Sequence, residues 1–147
     1  LHVDVRADLA MDSCPLALAQ VLTNLAVNAL QHAFAPGQPA AIAISARMGD
    51  DDVVHLSFSD NGQGIDTALR DRVFEPFFTT RRMLGGTGLG LYIVNQLVTR
   101  QLGGTVVLAA GPARGARFDI ALPRVARRAP DMTHLLANPP RADSDER

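Results

Sequence analysis

Lysine is missing altogether: all 14 basic residues of this 147-residue chain are arginine. A Walker-type phosphate loop and a eukaryotic-type protein kinase each set a lysine on the nucleotide phosphates, so both are excluded. Cysteine is confined to Cys14, which rules out an internal disulfide and fits a reducing compartment. No apolar run approaches the roughly 18 residues of a membrane span. Leu1 opens on a strand-like alternation rather than on a signal peptide. Excess charge is lacking too, and a net charge of −1 gives no support to a nucleic-acid or membrane-surface role. What is present, 47% hydrophobic and 20% charged, suits one ordinary globular domain long enough to bury a core. The expectation is a cytoplasmic chain with no nucleic-acid partner and no membrane contact of its own.

Leu1 to Val5 alternates apolar and polar, which predicts a short, half-buried strand. Asp12 or Ser13 can cap a helix that has Pro15 in its first turn. From Leu16 to Ala33, the residues Leu18, Val21, Leu22, Leu25 and Ala29 form one apolar stripe at about 100° per residue. Asn24 and Asn28 fall one turn apart on a flank of that stripe. Asparagine is a mediocre helix former. Either the pair satisfies neighbouring backbone groups or it faces a ligand. Phe34 to Pro39 breaks the helix. Ala40–Arg47 and Val53–Ser59 alternate with period two and predict a hairpin. The second strand runs into Asp60-Asn61-Gly62-Gln63-Gly64-Ile65. Asn-Gly reads first as a tight turn, but a second glycine follows and no alternating strand returns. Asp60 also ends a strand with an apolar inward face, where a carboxylate can be held for recognition.

Thr67–Val73 predicts a short helix, and Phe74, Phe77 and Phe78 in the following stretch a loop pinned by buried rings. Leu84 to Leu91 then has glycine at four of six consecutive positions, 85 to 90. Neither a helix interior nor a strand tolerates that density, since each glycine costs about 1 kcal/mol against alanine. Two readings stay open on the stretch alone. One is a linker; the other is a loop entering a helix, with backbone N–H groups suited to phosphate. A helix from Leu91 to Leu102, carrying Tyr92, Ile93, Gln96, Leu97 and Arg100 in its pattern, stops at Gly103. Thr105–Ala109 and Ala116–Leu122 predict a last hairpin. Residues 1–123 are thus expected to form the domain, and 124–147, rich in proline, arginine and acids, a disordered tail. The fold class is α+β: a two-layer sandwich with a mixed, largely antiparallel sheet of about five strands and about three helices on one face.

Five short motifs stand in order: Asn24-x-x-x-Asn28, Asp60-x-Gly62-x-Gly64, Phe74-Glu75-Pro76-Phe77-Phe78, Gly86-x-Gly88-x-Gly90 and Gly115-x-x-Phe118. Together they resemble the N, G1, F, G2 and G3 boxes of the catalytic ATP-binding domain of bacterial two-component sensor histidine kinases. That superfamily is shared with the gyrase and heat-shock chaperone ATPases and has the Bergerat-type ATP-binding fold. The likeness covers about Leu1 to Pro123 and implies ATP and Mg²⁺ as cofactors. Asp60 would accept a hydrogen bond from the adenine amino group, which guanine cannot donate. Gly62 and Gly64 would let the backbone approach the base, and Ile65 and Phe74 are counted among the nucleotide-binding residues. Asn28 would offer an oxygen to Mg²⁺, with Asn24 toward the phosphates or the metal's waters. His32 would sit near the phosphates. Gly86, Thr87, Gly88, Leu89 and Gly90 would form the hinge and anchor of an ATP lid. Arg81 or Arg82 would supply a phosphate-facing cation.

The resemblance also implies a reaction. Hydrolytic branches and anti-sigma serine kinases have a glutamate base where Asn24 stands. An amide there favours transfer of the γ-phosphate to a histidine, already a nucleophile when its reacting nitrogen is unprotonated. Asn24 and Asn28 are then the catalytic pair. His2, His32, His55 and His134 are followed by Val, Ala, Leu and Leu, unlike the family's acceptor, which usually precedes an acidic residue. The implied partners are a histidine-bearing dimerisation domain of the same parent kinase and then a response regulator. The fragment is expected to be monomeric and the parent homodimeric, with an inner-membrane anchor of the parent left open. An inactive nucleotide-binding regulator and an ATP-hydrolysing module of the gyrase or chaperone type are the alternatives.

Overall fold

The period-two stretches in the middle of the chain pair with each other, and the sheet grows outward from them. The computed structural model describes residues 1–79, 87–109 and 115–126. Strands β2 (Ile42–Met48) and β3 (Val53–Asp60) form the expected antiparallel hairpin, with Met48 opposite Val54 and Ile42 opposite Asp60. Strands β4 (Thr105–Ala109) and β5 (Arg117–Pro123) form the second hairpin, and β5 also lies antiparallel to β3. Strand β1 (His2–Val5) adds to β2 in parallel, giving the order β1-β2-β3-β5-β4. Because side chains alternate across a strand, Leu56, Ile120 and Val106 fall in register on one face, and so do Phe58 and Phe118.

Two helices cover that face. Helix α1 (Pro15–Asn28) places Ala17, Val21 and Leu25 against the sheet, and Ala29 continues the seam. Helix α2 (Gly90–Gln96) packs beside it. Burying each of the larger side chains, Leu25 and Phe58 among them, contributes about 1.5–3 kcal/mol relative to exposure. Both helices end in a π turn, at Ala29–Ala33 and Leu97–Gln101. Gly103, with φ +69°, then breaks the second one, and the Gly104 N–H donates to the Val98 carbonyl at 2.9 Å.

Several expectations are corrected. Among the described residues there are two α-helices, not three: Thr67–Leu69 is a single 3₁₀ turn followed by irregular turns. The Asp66 carboxylate accepts the Ala68 N–H at 2.9 Å, an alternative to helical bonding that suits a turn. Strand β1 is exposed along its whole length rather than half-buried, because it lies at the sheet edge. In the second helix the buried seam is Val94, Val98 and Leu102, not the set centred on Tyr92 and Ile93. Cys14, making no side-chain cap bond, holds the N-cap of α1 in place of Asp12 or Ser13. Asp12 is used otherwise: its N–H donates to the Arg124 carbonyl at 2.9 Å, and its carbonyl accepts the Ala126 N–H at 2.8 Å. Past Pro123 the described residues run on to Ala126, and Val125 bridges to Asp12. The remainder of the expected tail lies outside the described residues.

The phenylalanine loop is pinned only in part. Phe74 meets Phe118 edge-on with ring centroids 6.3 Å apart, and Arg72 lies over the Phe78 ring at 4.7 Å while pairing with Glu75. Phe77 is 63% exposed and has φ +63°, against the expectation that all three rings are buried. Gly88 explains the conformation: a side chain there would meet the Phe77 and Phe78 carbonyl oxygens at 2.8 Å, so the two backbones lie against each other.

Candidate active site

The end of β3, the C-terminal half of α1, the phenylalanine loop and the start of α2 enclose a cavity of about 650 Å³. Small-molecule sites typically span about 300–1,000 Å³. At one end stands Asp60, 6% exposed and the only buried charged side chain among the described residues. Its Oδ1 accepts the N–H groups of Gly62 at 2.8 Å and Ala116 at 3.3 Å. These donors fix the carboxylate and leave Oδ2, toward the cavity, without a protein donor among the described residues. Backbone geometry holds the arrangement. Gly115 has φ +99°, and a side chain on it would overlap the Asp60 carbonyl oxygen. β5 can therefore start flush against the end of β3, and the Asp60 N–H donates to the Ala116 carbonyl at 3.0 Å.

Toward the other end, α1 presents Asn24, Asn28 and His32 to the same cavity. The Nδ2 atoms of Asn24 and Asn28 are buried and have no partner among the described residues. A buried donor left unpaired costs about 1–3 kcal/mol, so two on one helix flank are a cost that a ligand can offset. Gly90, the first residue of α2, lies against Asn28: a Cβ there would stand 2.8 Å from Nδ2. The contact confines the amide. An amide turned about its last bond offers either N–H donors or a carbonyl oxygen, so the pair suits phosphate oxygens and a hard cation alike. Asn28 fits an Mg²⁺ ion through Oδ1. No three His, Cys, Asp or Glu side chains converge among the described residues. Magnesium in general keeps several waters and is bound through few protein ligands plus substrate phosphates.

The other expected site residues divide. Gly64, Ile65, Thr87, Gly88, Leu89 and Gly90 line the cavity. Gly62 does not: the space its missing side chain leaves is filled by Ala33, whose carbonyl oxygen and Cβ a substituent would strike. Its glycine gives room for close packing of the turn on Ala33. Phe74 lies behind the cavity wall, on Phe118. Arg81, Arg82 and Gly86 lie outside the described residues. Two participants went unnoticed in the sequence. Ala116 contributes only backbone, which no residue type signals. Gln63 lines the cavity and donates to the end of α1, and its place between two glycines was the available hint.

The sequence model of the family described as histidine kinase-, DNA gyrase B-, and HSP90-like ATPase matches residues 14–126. Sensor histidine kinase ZraS of Escherichia coli O157:H7 is 41% identical over 109 residues, 74% of this chain and 22% of ZraS. The chain thus spans about a fifth of that relative's length. Among solved structures, the nucleotide-free catalytic domain of histidine kinase ThkA superposes with a TM-score of 0.69 at 29% identity, covering 84% of this chain and 81% of the other. Full-length ShkA in complex with AMPPNP gives 0.63 at 28% identity, covering 88% of this chain and 27% of ShkA. With its cavity flanked by a buried aspartate and two unpaired asparagines, the chain belongs to the family of histidine kinase-, DNA gyrase B- and HSP90-like ATPases, and these relatives are histidine kinases.

Proposed function

We propose that this domain binds Mg-ATP in the cavity and transfers the γ-phosphate to a histidine on a separate dimerisation domain, from which a response regulator would take it. The observation that carries the reading is one cavity with opposite chemistries at its ends: a fixed carboxylate acceptor at Asp60 and unpaired amides at Asn24 and Asn28. Oδ2 of Asp60 accepts the adenine amino group and rejects guanine, whose carbonyl leaves two acceptors facing each other. Ile65 and the neighbouring apolar wall cover the base. Asn24 and Asn28 direct N–H or carbonyl groups at the triphosphate and hold it in line for an incoming nucleophile. Magnesium, held by Asn28, would supply charge neutralisation on the phosphates. Thr87 to Gly90 border that end, and His32 lies within reach of it. Arg81 or Arg82 is the proposed cation.

Asn24 is an amide that cannot take a proton, so it offers no base to activate water where a carboxylate would. A histidine acceptor brings its own lone pair and needs no such base. The exposed Phe77 ring offers the helical partner a contact beside the cavity. The site therefore favours phosphotransfer over hydrolysis. No helix among the described residues is long and apolar enough to cross a membrane.

The experiment mixes the chain with a histidine-bearing helical domain of its parent kinase and radiolabelled ATP. Acid-labile, base-stable label on the partner is the expected result. Rapid ATP turnover by the chain alone, without labelled partner, would place it with the hydrolysing members instead.

A further inference from the structure

An anionic ligand beside the C-terminus of a helix is electrostatically awkward. The last carbonyls of α1 carry partial negative charge, and the helix dipole adds to it. Yet His32 and Ala33, which end the π turn after Asn28, both border the cavity assigned to the triphosphate. The structure deals with those carbonyls through Gln63. Its side-chain Nε2–H donates to the His32 carbonyl at 2.8 Å, and its backbone N–H donates to the Ala33 carbonyl at 2.8 Å. Gly62, just before it, leaves room for Ala33 to seat against the turn.

The turn that carries Gln63 is itself held on its far side. The Asn61 side chain accepts the Ala41 N–H at 2.7 Å and donates to the Pro39 carbonyl at 3.1 Å, while Gln38 Nε2 donates to the Asn61 carbonyl at 3.1 Å. The Asp60 carboxylate fastens the same turn through Gly62. One turn thus links the carboxylate at the base end to the helix end that follows the asparagines. A π turn is rare, occurs mostly as a single turn within a helix, and is frequent at functional sites.

We propose that Gln63 is a positioning residue for the triphosphate. By donating two N–H groups to the terminal carbonyls of α1, it withdraws their negative charge from the cavity. It also fixes the π turn directly after Asn28, so the asparagine amides keep their aim at the phosphates. The inference rests on the Mg-ATP reading and adds to it a residue that acts through the helix end it holds.

Calorimetric titration of the whole chain with Mg-ATP and with adenosine tests it. Gln63→Met keeps the side-chain volume and loses the Nε2 donor; ATP affinity is expected to fall about fivefold while adenosine changes less than about twofold. Gln63→Glu replaces that donor with a carboxylate beside two carbonyls, and ATP affinity is expected to fall more than about tenfold, again with adenosine little changed. A merely structural role would weaken both ligands by the same factor, and that result, or ATP affinity unchanged in both variants, overturns the proposal. Wild-type chain that binds adenosine and ATP, with variants showing no selectivity between them, rejects Gln63 alone. Wild-type chain that binds neither rejects the nucleotide reading and this inference with it.

Discussion

The two ends of the cavity are built on opposite rules. At the Asp60 end, hydrogen bonding is nearly closed: Gly62 and Ala116 saturate one carboxylate oxygen, and the surrounding turn is laced to the loop at residues 38–41 by Asn61 and Gln38. At the Asn24–Asn28 end, buried donors are left open. The first arrangement fixes one acceptor in one direction, which is what discrimination among bases requires. The second leaves confined donors without a protein partner, which suits a ligand that brings its own acceptors. Stability is invested at one end and withheld at the other.

The largest effect should come from breaking the closed end. Asp60→Asn keeps shape but puts an amide where the carboxylate was, and adenosine affinity should fall more than about 100-fold, since a buried mismatch of donors costs several kcal/mol. Calorimetry checks this, and unchanged affinity would sink the assignment of Asp60 to adenine. Gly62→Ala comes next. Its Cβ strikes Ala33, so the turn must separate from α1, costing about 1–3 kcal/mol of folding stability in denaturant unfolding. Asn24→Leu should give the smallest effect and the opposite sign. Removing an orphaned buried donor raises stability of the nucleotide-free chain by about 1 kcal/mol while weakening ATP binding. A loss of stability in Asn24→Leu would show that Asn24 is satisfied in the free chain, and the contrast between the ends would disappear.

How much of this could be read from the residues depends on whether the signal is local. The hairpins around Ala46 and Ile120 were legible because alternation survives in any sheet with one covered face. Asp60 and the Asn24–Asn28 pair stood out because polar residues broke an apolar pattern, and all three line one cavity; the residues alone left the pair's purpose open. The exposure of β1 was not, since five alternating residues do not reveal that both helices lie over the strands farther along the sheet. Thr67–Val73 has helical composition, but a segment that short does not repay helix nucleation unless tertiary contacts hold it. The outward turn of Phe77 depends on Gly88, eleven positions later, and no local pattern carries that. The π turns escaped as well. Adding one residue at the end of a helix leaves too few later positions for periodicity to register the shift.

The bridge between Asp12 and Val125 has a mechanical consequence. The strand leaving the sheet and the segment leading into α1 are clasped by two short hydrogen bonds, with Arg124 adding a third to the Asp52 carbonyl. Tension arriving through the chain beyond Ala126 is therefore shared with the root of α1 instead of peeling β5 from the sheet. Amide exchange at Asp12 and Ala126 would report this clasp opening as a single event, ahead of any loosening of the helix that carries the asparagines.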